Sequence, residues 1–136
     1  MNSRLIEELK QDHIVIKEVV EKIGRVGIFS DEGQKTLLIS KSELLKHLER
    51  EDKELYPVLY REAESNETLK QTLNLFASEM DKISQAAMEF FEKYSHKDTG
   101  LDFAKDFGRL TAMLTTRIRR EENIIYREYD KLMETK

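Results

Sequence analysis

Apolar residues return at intervals of three and four along four long stretches of this chain, and polar segments separate the stretches. That period is the signature of an amphipathic helix with one buried face. The first stretch runs from about Arg4 to Val26, with Ser3 as N-cap, and carries Leu5, Leu9, Ile16, Val20 and Ile23. The second runs from about Gln34 to Ala63 on Leu37, Leu44, Leu48, Leu55 and Val58. The third runs from about Glu67 to Tyr94 on Leu69, Leu73, Phe76, Met80, Ile83, Ala87 and Phe90. The fourth runs from about Leu101 to Met133 on Phe103, Phe107, Leu110, Leu114 and Ile124. Gly24, Gly27 and the run from Ser30 to Gly33 mark the first connection, Ser65-Asn66 the second, and the polar segment 95–100 the third. Pro57 removes a backbone donor and predicts a kink in the second helix. Four such helices with short connections predict an all-α, antiparallel up-down-up-down four-helix bundle.

Composition agrees. A chain of 136 residues with 39% hydrophobic residues has the size and content of one domain, spanning 1–136. Five glycines and one proline leave few helix breakers. The lack of cysteine excludes disulfides, iron–sulfur clusters and thiolate zinc sites. A net charge of −4 provides no basic footprint for nucleic acid. The apolar runs are too short for a bilayer span and the N-terminus has no signal-peptide core, so a cytoplasmic protein with no membrane association is expected.

Charge interrupts the apolar stripes. His13 stands four after Leu9 and three before Ile16. Glu51 stands three after Leu48 and four before Leu55, with His47 one turn earlier. Arg117 and Glu121 occupy stripe positions of the fourth helix. Any one of these has a bland explanation. A lone inward histidine is most often a satisfied core residue, and His47 with Glu51 is an ordinary helical pair. Asp12, Asp52, Glu54 and Glu122 read as solvated charges, His96 as a surface residue, and Tyr56 and Tyr126 as packing residues at the bundle edge. The joint occurrence is harder to explain, because unpaired charge in a bundle seam is costly. Imidazoles and carboxylates on facing helices suit iron, manganese, zinc or nickel.

The chain also repeats itself. His47-Leu-Glu-Arg-Glu51-Asp-Lys-Glu-Leu-Tyr56 is echoed by Arg117-Ile-Arg-Arg-Glu121-Glu-Asn-Ile-Ile-Tyr126. Asp12-His13 aligns more weakly with Glu79-Met80. The first and second helices thus map on the third and fourth.

Asp12-His13, the His47-to-Pro57 segment and the Arg117-to-Tyr126 segment together resemble the hemerythrin-like (HHE cation-binding) family over nearly the whole chain. The resemblance implies a four-helix bundle around a non-haem di-iron centre, in proteins that carry or sense oxygen, respond to nitric oxide or iron, or aid iron–sulfur repair. It implies His13 and His47 as ligands, Glu51 as a bridging carboxylate, and Glu121 or Glu122 as the acid of the fourth helix. The family's histidines of the third and fourth helices are replaced here by Met80 and Arg117. In the family those two histidines serve the second iron. The ligands that remain are enough for one divalent ion, and Arg117 puts a fixed positive charge where the second ion's charge was.

Three functions follow as expectations. The first is a binding or sensing module holding one iron, another divalent metal, or none, with a small diatomic molecule as its further ligand. The second is an enzyme-like member acting on oxygen, peroxide, nitric oxide or iron–sulfur clusters through a mononuclear site with an open position; the lost histidines count against an oxygen carrier. The third is a structural bundle whose buried charges pair among themselves.

Overall fold

The computed structural model describes residues 3–28, 30–94 and 102–134. The expected connection at 95–100, with His96, lies outside them. Among the described residues there is helix and no strand: α1 (Arg4–Val26), α2 (Asp31–Arg50), α3 (Tyr56–Ala63), α4 (Glu67–Tyr94), α5 (Phe103–Arg120) and α6 (Tyr126–Glu134). Single π-helical turns, Glu51–Leu55 and Glu121–Ile125, join α2 to α3 and α5 to α6. The six segments therefore make four rods, in the up-down-up-down order the periodicity predicts.

Cross-rod contacts mark the two ends of the bundle. At one end the Ser3 amide donates to Asp130 Oδ1 at 2.9 Å, tying the start of α1 to α6. At the other, Gln34 Nε2 donates to the Ile28 and Tyr94 carbonyls, gathering α2, the turn after α1 and the end of α4. Caps set the helix starts. Ser3 Oγ accepts from the Ile6 amide, Ser30 Oγ from the Gly33 amide and Asn66 Oδ1 from the Leu69 amide. Ser30 starts α2 at Asp31, three residues earlier than expected, so Asp31–Gly33 belong to the helix and not to the loop. Gly27 ends α1 with φ +75°, and its amide bonds the Ile23 carbonyl. Gly33 is required by close approach, since a Cβ there would lie 2.0 Å from the Gly27 carbonyl oxygen. No described helix is long and apolar enough to cross a membrane.

The π turns correct two expectations. Each ends with an amide reaching back five residues, Tyr56 to the Glu51 carbonyl and Tyr126 to the Glu121 carbonyl. The extra residue rotates everything beyond it. Leu59 is therefore fully buried and Val58 only half-buried. Likewise Ile125 is fully buried, while Ile124 is 41% exposed. Pro57 sits in the first turn of α3, where a missing donor costs little. It is not the cause of the irregularity, because the same turn forms in the other half, where Arg127 takes its place. In α1 the buried stripe begins at Ile6, with Leu5 half-buried beside it. All seven expected positions of α4 are buried.

Candidate metal centre

Five charged or ionisable residues are buried where the four rods meet: His13, His47, Glu51, Arg117 and Glu121. Each is there because its helix period places it on the inner stripe. His13 comes from α1 and His47 and Arg117 from the last turns of α2 and α5. Glu51 and Glu121 are the first residues of the two π turns. Ligand atoms of His13, His47, Glu51 and Glu121 all lie within 4.8 Å of one another. Metal–ligand bonds of about 2.1 Å put the atoms of a tetrahedral set about 3.4 Å apart, so the four side chains would draw together by up to about 1.4 Å to close around an ion.

The outer nitrogens of both imidazoles are engaged. His47 Nδ1 lies 3.1 Å from Asp12 Oδ2, and His13 Nδ1 lies 2.8 Å from Glu122 Oε2. A carboxylate only accepts, so each Nδ1 carries a proton, and each Nε2 is turned inward. His47 Nε2 then faces Glu51 Oε1 at 3.3 Å, and His13 Nε2 faces Glu121 Oε1 at 3.3 Å. Each contact is an ion pair when the imidazole carries a second proton and a meeting of two acceptors when it does not. Glu51 Oε1 is buried and makes no hydrogen bond at all. A metal ion held by the imidazoles and carboxylates would satisfy this orphaned oxygen, which has Arg117 as its neighbouring cation at 3.7 Å.

Two tyrosines and an arginine complete the cluster. Tyr126 Oη donates to Glu51 Oε2 at 2.8 Å and lies 3.1 Å from His13 Nε2 and 3.5 Å from His47 Nε2. Tyr56 Oη donates to Glu121 Oε2 at 3.1 Å. The tyrosine of each half thus serves the glutamate of the other. Arg117 stands 3.7 Å from both Glu51 Oε1 and Glu121 Oε1, and its Nη1 donates to Ser84 Oγ at 2.8 Å.

The charges shift one another's protonation. Burial, together with the Glu121 charge, pushes the Glu51 carboxyl well up. Burial also works against a charged Glu121, but His13 and Arg117 outweigh it and hold that carboxyl low. Burial lowers His47, yet Glu51, Glu121 and Asp12 together raise it. Both tyrosines are driven up by burial and by the carboxylates, so they stay protonated donors. Groups raised on folding, Glu51 and His47, contribute stability in acid that is lost as pH rises through their folded values. Glu121, depressed on folding, contributes stability above the ordinary carboxylate range that is lost as pH falls. Metal-free protein should therefore melt highest in mildly acidic solution and lose stability as pH rises from the ordinary carboxylate range through about 7, where Glu51 titrates, with His47 extending the loss upward. A saturating divalent metal should reverse that limb, because ligation needs the deprotonated groups. Calorimetry with and without metal checks this; a melting temperature of metal-free protein rising steadily from acid to alkaline pH would contradict it.

The geometry brings together His13, His47, Glu51 and Glu121, and places Glu122 on the outer nitrogen of His13. Asp12, Tyr56, Tyr126 and Ser84 are functional neighbours that the residue pattern did not single out as such. The tyrosines carried a signal: each stands five after the inward glutamate of its own half, at matching positions of the repeat. Asp12 carried one as the first member of the Asp12-His13 pair, and Ser84 carried none, because its role depends on the facing helix.

No curated protein and no solved structure matches the chain. The family model of the hemerythrin HHE cation binding domain matches residues 4–129. That span includes every residue of the cage and both halves of the repeat, and the chain belongs to the hemerythrin HHE cation-binding family.

Proposed function

We propose that this protein binds a single divalent metal, of the non-haem iron type, through His13, His47, Glu51 and Glu121, and works as a metal-dependent sensing or binding module. The observation that carries the reading is the orientation of the two imidazoles. Each has its outer nitrogen tied to a carboxylate and its inner nitrogen turned toward the same buried cluster, as in ligating histidines with an outer-shell partner. When bound, the ion supplies a Lewis-acidic, redox-capable centre. The chain's own residues hold the charge around it. Arg117 offsets one carboxylate charge, while Tyr56 and Tyr126 each donate to a carboxylate oxygen. Iron suits two imidazoles and two carboxylates, and manganese or zinc fits the same donors.

Replacing His13 or His47 by Ala should abolish tight binding of one equivalent of Fe(II) or Zn(II) in calorimetric titrations, with the fold retained by circular dichroism. Undiminished binding in the double variant would sink the proposal. Replacing Asp12 by Asn, or Glu122 by Gln, should weaken binding by about 10- to 100-fold without changing stoichiometry, as expected for groups that orient ligands. A complete loss in Glu122→Gln would make Glu122 itself a ligand.

A second reading has an observation of its own. Arg117 and the two tyrosines already satisfy much of the cage, so the cluster can stand as a buried ion-pair network. Protein purified after iron and zinc supplementation, with no metal by elemental analysis and no affinity on titration, would favour it.

A further inference from the structure

We propose that the open seam between the α2–α3 rod and α4 is a docking groove for a basic amphipathic helix of a partner protein. It is a cleft of about 750 Å³ on the flank of the bundle. The α2–α3 wall presents Leu45, Leu48, Tyr56 and Tyr60, and the α4 wall presents Phe76, Ala77, Met80 and Met88. Leu45 and Tyr60 are 43% and 44% exposed, unusual for large side chains lining one seam. Leu38, seven residues before Leu45 and so on the same face, is 60% exposed and extends the apolar strip.

The shape and chemistry select the occupant. From Leu45 to Tyr60 the wall runs about 22 Å, the length of a helix of about 14 residues. Its walls are helices whose backbone groups are already bonded, so an extended strand would find no ladder to join, whereas the apolar face of a helix would find a trough. Two methionines and three aromatics are adaptable lining for such a face. Glu49, Asp52 and Asp81 stand on the rim. Glu49 is met by Lys53 at 2.7 Å, but no ion pair of the described residues involves Asp52 or Asp81. The whole chain carries −4, which further favours a basic partner. At the floor, Arg117 is engaged with Ser84 and faces Glu51 and Glu121, so its charge is matched inside the protein. Tyr56 and Arg117 belong to both groove and cage, and a docked helix would rest on two residues that hold the metal ligands.

This inference goes beyond the metal reading and stands without it, so the test uses the whole metal-free chain. The probe is a leucine–lysine peptide of about 14 residues with leucines on one helical face. Its leucine–glutamate counterpart and a shuffled peptide of the same composition are the controls. Isotope-labelled protein should show amide shifts confined to residues 45–60, 76–88 and the neighbourhood of Arg117. Binding should be at least about tenfold tighter than for either control. The exposed rim variant Glu49→Lys/Asp52→Lys/Asp81→Lys should lose about tenfold for the lysine peptide and gain for the glutamate peptide. Its metal titration should be unchanged, which separates this result from the fate of the metal proposal. Equal binding of the shuffled peptide, shifts mapping elsewhere, or an indifferent rim variant would overturn the inference. So would a chain that dimerises through this groove by light scattering and interface mapping, since the occupant would then be a second copy.

Discussion

Arg117→Met should destabilise the metal-free protein by about 3 kcal/mol, the scale for removing one partner from a fully buried charge cluster. Glu51 and Glu121 are 0% and 1% exposed, and Arg117 is the one guanidinium standing beside both, at 3.7 Å. Methionine fills a similar volume, so the loss reports charge more than packing. Metal affinity should move the other way. Arg117 and a bound divalent ion are like charges competing for the same two carboxylates, and removing one should tighten the other by about tenfold or more. Denaturant melts in chelator and in saturating zinc read both effects. The variant's deficit should shrink in zinc. If the variant is as stable as the parent in chelator, Arg117 does not neutralise the cluster. A similar loss in both conditions would mean that its packing and the Ser84 bond matter more than its charge.

The larger change is one of stoichiometry. The double variant Met80→His/Arg117→His should raise metal capacity from one to two equivalents per chain. The repeat pairs His13 with Met80 and His47 with Arg117. Structurally, Met80 and Arg117 are buried and line the same cleft, and Arg117 reaches both Glu51 and Glu121. Two new imidazoles there, with the competing guanidinium gone, leave the two glutamates free to be shared between ions. Elemental analysis and the near-ultraviolet bands of a bridged di-iron centre are the readouts. A folded double variant that takes up no more metal than its parent would show that Met80 and Arg117 do not stand in the second ligand positions.

Rods and inner stripes could be read from the residues because helix period is local. Three- and four-residue spacing puts His13 between Leu9 and Ile16, and Glu51 beside Leu48, whatever the neighbouring helices do. The buried histidines, glutamates and arginine followed for the same reason, whereas buried Thr36 and Ser40 did not. The repeat was legible too, since His47 against Arg117 is a comparison of letters.

What lay beyond the sequence was everything that depends on a facing rod or on a break in the period. A fixed 3.6-residue wheel carried Val58 and Ile124 inward, and the two π turns moved burial one residue on, to Leu59 and Ile125. Their cause cannot be read from Pro57, which has no counterpart at Arg127. The crossing of Tyr56 onto Glu121 and of Tyr126 onto Glu51 joins residues 65 and 75 positions apart, so it exists only once the rods are packed. Asp12 and Glu122 look like solvated charges along their own helices. They become the groups that set the two imidazoles because His47 and His13, from other helices, point their outer nitrogens at them. Sequence periodicity determined which side chains face inward; tertiary packing alone decided which atoms of those side chains meet, because hydrogen-bond direction is a property of two helices at once.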